Sequence, residues 1–303
     1  SHAMHTEPHS LLEKVHLFRI RMPMNQPEQH LQKQLTQITQ RILKPRIHSM
    51  EQQAHFPKGL WQDLGEHALL GIMMPEALGG LNGSAKTLAM AIETLSACYP
   101  PAALSFIAHC ALCMHQIASH GSPKQQQQYL PAMIQGQSIG ALAISEYEAG
   151  SDAMNMSTQA TPVPGGYQLS GKKAWITNAI EADVFVVYAH TGQNTKGQAN
   201  LTAFILERKQ EGVRVGPALD KMAMRGSNTA ELLLDDCFVP EDQMLGKPNQ
   251  GAAIMMQGLD FERIMLAAGA LGIIKGCADE VLPYVQQRRQ FNSSLANMPL
   301  IQS

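Results

Sequence analysis

A carboxylate in the segment QGLDFERIMLAAG (257–269) is placed where it could act as a base. The segment has a helical period, and Glu262 shares one helical face with three apolar side chains, those of Leu259, Met265 and Leu266. An apolar face disfavours the charged form of a carboxylate, so the group takes up a proton more readily near neutral pH. The sequence leaves two interpretations open: a salt bridge to an arginine elsewhere, or a catalytic base.

A second segment, HCALCMH (109–115), contains four residues of metal-ligating types: His109, Cys110, Cys113 and His115. At about 100° per residue on a helix, three of them face one side and His115 points away. A haem-attachment signature fails because a methionine follows Cys113. Buried helix thiols are the simpler interpretation, so we predict no metal site. The histidines of the chain are scattered, and each is more typical of a surface or capping group than of a ligand.

Three other stretches could bind a flat, polar ligand. In LAISEYEAGSD (142–152), glycine and serine follow a strand and let backbone N–H groups approach an anionic or polar group. In KKAWITN (172–178), an indole near a threonine hydroxyl could pack on a ring and hydrogen-bond its edge. The third stretch is MRGSNTAEL (224–232). Taken singly, they are more simply explained as a turn, a core tryptophan and a polar loop.

The elements that must position these residues follow the order helical, β, helical. Leucine and isoleucine recur with a helical period early in the chain, and the middle has short, partly β-branched segments separated by clusters such as PVPGG (162–166). The predicted fold class is α+β, with an N-terminal α-helical domain (5–135) and a middle β-barrel or sandwich domain (136–250). The beginning of a C-terminal α-helical bundle follows (251–303).

Composition excludes some function classes. The 303 residues suffice for two domains or one large one, and 45% hydrophobic content is ordinary for a globular protein. A net charge of −2 gives no basic surface for nucleic acid. No apolar run reaches the roughly 18 residues of a membrane span, so no membrane insertion is expected. Charged residues make up only 16%, which is typical of a surface partly covered in an oligomer.

The N-terminal residues and the cysteines bear on location. Ser1–Ala3 precede a methionine and resemble an expression remnant, so they are left out of fold reasoning. Residues 5–25 lack the arginine-rich, acid-poor character of a transit peptide, and no secretory signal is evident. Five cysteines, an odd number, favour reduced thiols. We therefore expect a bacterial cytoplasm or a mitochondrial matrix.

Taken together and in this order, the motifs resemble the acyl-CoA dehydrogenase family, most of all its isovaleryl-CoA dehydrogenase branch. The resemblance extends from about residue 28 to the last residue. It is strongest in IGALAISE with EAGSD, in WITN with ADV and VVYA, in LDK with MRGSNT and EL, and in GLD with ERI, LAAG and LG. It implies a β domain between two α-helical domains, with FAD bound between them.

The resemblance also implies roles for individual residues. Glu262 matches the catalytic base of the isovaleryl branch, which lies in an Asp-x-Glu-Arg motif. Arg288 and Phe291 match an Arg-x-x-Phe motif that reaches FAD partly across a subunit interface. The implied FAD-binding residues are Leu142, Ile144, Ser145, Ser151, Trp175, Thr177, Arg288 and Phe291. The implied substrate-binding residues are Ser145, Ser151, Asp260 and Arg263.

The implied activity is FAD-dependent α,β-dehydrogenation of a short branched-chain acyl-CoA, as in leucine catabolism. An electron-transfer flavoprotein would be the electron acceptor, and the chain would form a homo-oligomer, a dimer or a tetramer. Two alternatives remain. One is the same chemistry on a carrier-protein-bound acyl thioester, and the other is a truncated, non-catalytic homologue that has lost the flavin.

The sequence departs from the family pattern at three places. Tyr147 stands where the family has a proline after the acidic residue. Ile107, in PAALSFIAHC, stands where the isovaleryl branch has glycine, which would reshape the acyl pocket if that wall lines it. The family also continues past the motif PLIQ, and FNSSLANM replaces a Phe-Gly-Gln type of sequence.

Overall fold

The structure is a computed structural model that describes residues 24–193 and 199–302. The predicted start of the first domain at residue 5, and the interpretation of residues 1–3, lie outside these residues. The elements follow the predicted order of helices, sheet and helix. This order confirms the α+β fold class, while the predicted domain limits at residues 135/136 and 250/251 stay predictions.

The first region is helical. Side-chain caps begin three of its helices: Asn25 and Ser122 form capping boxes, and the Ser84 hydroxyl accepts a hydrogen bond from the backbone of Thr87. Each cap satisfies backbone N–H groups that the first helical turn leaves unpaired. The helices are α1 (Gln26–Ile38), α2 (Ile47–Gln53), α3 (Lys58–Glu66), α4 (Ala85–Cys98), α5 (Pro100–Ile107), α6 (His115–His120) and α7 (Pro123–Ile134).

A π-helical segment, Ala108–Met114, joins α5 to α6 without a break, and all seven of its residues are buried. The resulting rod, Pro100–His120, is long and apolar enough to cross a membrane by length and composition alone. The expectation that no run would reach this length is therefore wrong. Most of the rod is packed inside the protein, as in the core helix of a soluble protein, which passes the same test.

An eight-stranded sheet forms the middle region, in the order β6-β7-β3-β2-β4-β5-β8, with β1 parallel to β4. The segment PVPGG separates two strands as predicted: Pro162 and Val163 end β2, Pro164 and Gly165 form the turn, and Gly166 begins β3, which pairs with β2. The strands are β1 (Gly140–Ala143), β2 (Gln159–Val163), β3 (Gly166–Thr177), β4 (Val184–Gln193), β5 (Ala199–Glu207), β6 (Val213–Val215), β7 (Thr229–Pro240) and β8 (Met244–Leu245).

Strand β4 is buried on both faces and separates two hydrophobic cores. Val184, Val186 and Tyr188 pack into the helical core. Phe185 and Val187, which alternate with them, pack into a second core on the other side of the sheet. Because side chains alternate along a strand, a nearly continuous apolar run is what a strand covered on both faces requires.

The last region begins with one long helix, α8 (Gly251–Gln287). A hairpin of β9 (Arg289–Gln290) and β10 (Ser293–Ser294) and a short helix, α9 (Pro299–Gln302), follow it. The inner face of α8 approaches α4 so closely that a Cβ added at Gly272 would lie 2.4 Å from the carbonyl oxygen of Glu93. Its outer face exposes large apolar side chains: Met256, Ile264, Leu271, Ile274, Val281 and Tyr284.

Candidate active site

An outward-turned indole marks one side of the candidate site. The pairing of β3 with β7 is irregular between Lys173 and Ile176, and Trp175 within this bulge has a φ of 56°. A positive φ is an outlier for a bulky residue and costs free energy. The bulge leaves Trp175 49% exposed while its neighbour Ile176 is buried. The local backbone is therefore arranged to present this ring to a ligand or to solvent.

Two hydroxyl groups lie on the chain segments around the indole. The Ser145 carbonyl accepts a hydrogen bond of 2.8 Å from the backbone N–H of Ala174, which places the loop after β1 beside Trp175. Ser145 and Thr177 are half-buried. In the part of the chain that the structure describes, neither hydroxyl makes a hydrogen bond. Free hydroxyls beside an exposed indole suit a flat ring with polar edges.

The remaining predicted residues of this loop are spread along it. Leu142, near the end of β1, is half-buried, and Ile144 is buried with its carbonyl bonded to the Lys173 ammonium at 3.1 Å. Ser151 lies further along and is exposed. Hydrogen bonds from the residues just before Trp175 thus hold Ile144 and Ser145 beside it, whereas Ser151 is exposed to solvent.

Glu262, on α8, is the second part of the candidate site. It is half-buried, and burial raises the pKa of its carboxyl group, while the Arg263 charge acts in the opposite direction. The Arg263 guanidinium instead pairs with Asp260 at 2.8 Å, and both of these side chains are exposed. Among the described residues Glu262 has no ion pair and no hydrogen bond. The salt-bridge interpretation therefore finds no arginine, and an unpaired, proton-accepting carboxylate remains.

The apolar face predicted around Glu262 is only partly enclosed. Met265 is buried and Leu259 is half-buried, but Leu266 is 38% exposed. On the preceding residue, the Phe261 ring stacks on the imidazole of His115 at 4.1 Å between centroids. This contact fixes the helix against the rod below it and leaves Glu262 at the margin of the helical core.

Helix α5 connects the two sides. The amide of Asn178, next to Thr177, donates to the carbonyl of Ser105 at 2.9 Å. Two positions later Ile107 points to the other side, and its Cδ1 lies 3.7 Å from the Cβ position of Gly269 on α8. Gly269 is two helical turns from Glu262 on the same face. Ile107 is buried at this contact, so it narrows the space along the face of α8 that carries Glu262.

Arg288 and Phe291 lie at the opposite end of α8. The helix rises about 1.5 Å per residue, which separates Arg288 from Glu262 by roughly 40 Å along the axis. Phe291 is 93% exposed with a φ of 51°. The single chain does not bring this pair to Glu262, so a flavin role for Arg288 and Phe291 stays a prediction that needs a second subunit.

The expectation that each histidine is a surface or capping group is wrong for His109. Its Nδ1 accepts a hydrogen bond from the Gly140 N–H at 2.9 Å, so its Nε2 carries the proton that faces the Met133 carbonyl at 3.1 Å. Burial lowers the pKa of His109 to about 4. Burial raises the pKa values of Cys110 and Cys113, which lie in the same core. Both imidazole nitrogens are engaged, and His109 is a core residue.

Sequence reasoning missed Lys173 and Glu146, which form a buried ion pair beside the indole. The sequence does contain an indication that Lys173 is buried. Along β3 the buried Leu169 and Lys173 are an even number of positions apart, so strand alternation puts them on one face. A lysine on a buried face needs a partner, and the acidic loop after β1 supplies it.

Comparison with known families decides the identity of this arrangement. Family models match residues 25–137 (acyl-CoA dehydrogenase, N-terminal domain), 141–237 (middle domain) and 249–303 (C-terminal domain). The chain belongs to the acyl-CoA dehydrogenase family. The predicted resemblance is thereby confirmed, and the oxidoreductase class and the flavin cofactor of the family follow with it.

Two curated relatives from Solanum tuberosum are similar over most of the chain. A mitochondrial isovaleryl-CoA dehydrogenase is 40% identical over 91% of the chain and 67% of its own length. A mitochondrial 2-methylacyl-CoA dehydrogenase is 39% identical over 97% of the chain and 71% of its own length. The chain thus spans about two thirds of the length of these relatives.

Solved structures share the fold. Butyryl-CoA dehydrogenase from Megasphaera elsdenii has a TM-score of 0.88 and 31% identity over 93% of the chain and 74% of its own. An acyl-CoA dehydrogenase from Bacillus anthracis, described as complexed with FAD, has a TM-score of 0.84 and 32% identity. The match covers 92% of the present chain and 48% of the Bacillus chain. The prolyl acyl carrier protein oxidase AnaB has a TM-score of 0.86 and 27% identity over 92% and 74%.

The residues present fit FAD. An isoalloxazine ring needs an apolar surface for one face and hydrogen-bonding groups at its edge. Trp175 offers an exposed indole, and Ser145 and Thr177 offer hydroxyls that are free within the described part of the chain. These three residues, with Leu142 and Ile144 beside them, are the ones that would hold the ring.

Proposed function

We propose that the chain catalyses FAD-dependent α,β-dehydrogenation of a short branched-chain acyl-CoA thioester, with Glu262 as the base. The observation that carries the proposal is the unpaired, half-buried Glu262 on α8, whose carboxyl pKa is raised by burial. Both curated relatives named above act, by their names, on branched acyl-CoA substrates.

The role of Glu262 is to take the α-proton of the thioester on a carboxylate oxygen. A raised pKa makes the carboxylate a better proton acceptor. Asp260 and Arg263, two residues before and one residue after Glu262 and both exposed, would contact the coenzyme A part, and Ser145 and Ser151 would contact the thioester end. When bound, FAD supplies the acceptor for the hydride that leaves the β-carbon.

Acyl-chain size is the second part of the proposal. Ile107 is buried between α5 and α8 against Gly269, on the helical face that carries Glu262. A bulky side chain there leaves less room for a long acyl chain, which favours a short one. Replacing Ile107 with glycine would therefore extend the range of accepted chains toward larger acyl groups.

Partners and location complete the proposal. Electrons would leave through an electron-transfer flavoprotein, and the chain would assemble as a homo-oligomer in which Arg288 and Phe291 reach the flavin site of a second subunit. The exposed apolar face of α8 supports such assembly, since large uncovered apolar surfaces are uncommon on monomers. The mitochondrial and bacterial relatives support a mitochondrial matrix or a bacterial cytoplasm.

A carrier-protein thioester is the second candidate. AnaB, which shares the fold, is by its title an oxidase of a prolyl acyl carrier protein. The Asp260–Arg263 pair, exposed beside Glu262, supports coenzyme A instead because it offers a charged surface to a polar, anionic ligand.

The deciding experiment is an anaerobic visible spectrum of the FAD-loaded chain before and after each thioester is added. Isovaleryl-CoA, a 2-methylacyl-CoA, butyryl-CoA and an acyl-carrier thioester are compared. We expect the branched acyl-CoA substrates to bleach the flavin band. Glu262→Gln should slow bleaching by about 10²- to 10⁴-fold with FAD still bound, whereas Glu280→Gln, exposed on the same helix, should bleach normally. Bleaching by the carrier thioester alone would reassign the substrate, and rapid bleaching of Glu262→Gln would remove Glu262 as the base.

A further inference from the structure

A buried ion pair lies next to the outward-turned indole. The Lys173 side chain is 0% exposed and the Glu146 side chain is 4% exposed, with 2.9 Å between Nζ and Oε1. Lys173 comes two residues before Trp175 in β3, and Glu146 directly follows Ser145 in the loop after β1. The pair therefore joins the two segments that form the flavin side of the candidate site.

Hydrogen bonds and mutual attraction favour the charged forms of Glu146 and Lys173, against the effect of burial. The Glu146 carboxylate accepts hydrogen bonds from the backbone and hydroxyl groups of Ser157, at 2.5 and 2.6 Å, and from those of Thr158. Burial alone would raise its pKa, but these hydrogen bonds and the Lys173 charge lower it to about 2. Burial lowers the pKa of Lys173 to about 8, against the attraction of Glu146. Near neutral pH the pair is ionised.

The contacts are directional and fall on consecutive residues. Lys173 also donates to the Ile144 carbonyl at 3.1 Å, and the Ala174 N–H donates to the Ser145 carbonyl at 2.8 Å. Three successive loop residues are thus fastened to the two strand residues that precede Trp175. A buried ion pair rarely stabilises a protein more than apolar residues of the same volume would, but its fixed geometry specifies one arrangement.

The strained backbone of Trp175 needs such a constraint. A residue with a φ of 56° keeps that conformation only where its surroundings over-determine it. We propose that Glu146 and Lys173 are positioning residues that hold Ser145 and the outward-turned Trp175 in the arrangement that receives the isoalloxazine ring. The inference rests on the proposed flavin role of Trp175, and neither Glu146 nor Lys173 touches the reacting atoms.

The neighbouring lysine provides a matched control. Lys172 is exposed, pairs with Glu231 at 2.8 Å, and lies 5.0 Å from the centre of the Tyr147 ring. Lys172→Met and Lys173→Met make the same chemical change at adjacent positions, one outside the protein and one inside. A general effect of lost charge would appear in both variants, whereas a positioning effect would appear only in Lys173→Met.

The fluorescence of Trp175 measures its exposure in these variants without bound flavin. The chain has two tryptophans, and Trp61 is 0% exposed, so iodide quenching of tryptophan fluorescence reads Trp175. We expect Glu146→Gln and Lys173→Met to change the quenching constant and Lys172→Met to leave it near the wild-type value. If the competent arrangement falls to about a tenth of its population, FAD affinity falls about tenfold, which a titration of FAD fluorescence measures.

A double variant separates positioning from stability. Glu146→Gln with Lys173→Met removes both charges, so no unpaired charge stays buried and much of the lost stability returns. We expect FAD affinity to stay at least about fivefold weak in this variant, since the directional tie is still missing. If the double variant recovered both its FAD affinity and its folding stability, the proposed positioning role would be overturned. The double variant also keeps the test decisive if Lys173→Met alone fails to fold.

The two proposals fail in different ways. If the wild-type chain binds no FAD, the proposed function fails, and iodide quenching alone then decides whether the pair holds Trp175. If FAD binds and the folded variants match wild type in both quenching and affinity, positioning is overturned. Altered quenching with unchanged FAD affinity would overturn the flavin part of the inference.

Discussion

The structure shifts the carboxyl pKa values of two glutamates of the candidate site in opposite directions. Glu146 is buried with a lysine and four hydrogen-bond donors, and its pKa falls to about 2. Glu262 is half-buried with no partner among the described residues, and its pKa rises. The comparison shows what pairing decides: a paired carboxylate fixes geometry, and an unpaired one stays free to exchange a proton. The surroundings of Glu146 suit the first task, and those of Glu262 suit the second.

Disruption of the Lys173–Glu146 ion pair should lower the free energy of unfolding the most. Lys173→Met leaves Glu146 buried without its cation, which we expect to lower the free energy of unfolding by about 3–5 kcal/mol. The comparison variant is Lys275→Met, which removes a half-exposed partner of Glu93 at 3.6 Å on the base side. That change should cost less than about 1 kcal/mol. Urea unfolding monitored by circular dichroism measures both values, and equal costs would contradict the contrast between the two sides.

The base side depends instead on the close approach of two helices. A Cβ at Gly272 would lie 2.4 Å from the Glu93 carbonyl oxygen and 2.7 Å from the Ser96 side chain. Because backbone must move, Gly272→Ala should cost about 1–3 kcal/mol. Gly59, on α3, has nothing within 4 Å of its Cβ position, so Gly59→Ala should be neutral or stabilise by up to about 1 kcal/mol. Thermal unfolding of both variants gives the sign, and a neutral Gly272→Ala would show that α8 is loosely held.

The unpaired carboxylate of Glu262 should affect how the stability of the protein depends on pH. Because folding raises the pKa of Glu262, the folded state favours its neutral form. This contribution is fully present below the unfolded pKa of about 4.3 and is lost as pH rises through the folded pKa. Glu262→Gln stays neutral, so its melting temperature should equal wild type near pH 4 and exceed it at higher pH. A variant that melts lower than wild type above the transition would show a hidden partner for Glu262.

The element order and the helical position of Glu262 were accessible to sequence reasoning because both rest on local patterns. Helical period placed Glu262 beside Met265 on α8, and β-branched segments marked β3, β4, β5 and β7. The three-residue strand β6 (Val213–Val215) escaped because it is too short to show alternation. The break predicted at PVPGG lies at Pro164 and Gly165, and Pro162 before it belongs to β2 at a position where β4 does not pair, so its missing N–H costs no bond to β4.

The positions of side chains within the site were not accessible in the same way. Glu146 and Lys173 are far apart in the sequence, and a charged residue is ordinarily expected at the surface. The bulge that turns Trp175 outward appears only when β3 is paired with β7. His109 was placed outside because its two core partners, Met133 and Gly140, belong to other segments. Alternation along β3 indicates the buried face of Lys173, but its partner, the bulge and the contacts of His109 depend on tertiary pairing.

The smallest effect should come from the exposed contact on the flavin side. The Tyr147 hydroxyl donates to the Glu231 carboxylate, and its ring lies edge-on to Trp175 at 4.9 Å between centroids. Tyr147→Phe keeps the ring and removes one exposed hydrogen bond, so it should cost less than about 1 kcal/mol and leave FAD affinity nearly unchanged. Tyr147→Ala removes the ring as well and should increase iodide quenching of Trp175.

This pair of variants tests where the indole is held. By the resemblance, Tyr147 stands in place of a proline, which has neither the aromatic ring nor the hydroxyl that make this contact. If Tyr147→Phe weakened FAD binding as much as Lys173→Met, the exposed hydrogen bond to Glu231 would share the positioning role. The buried pair would then be one of two constraints on Trp175, and the contrast between a fixed Glu146 and a free Glu262 would depend on a surface contact as well as on a buried one.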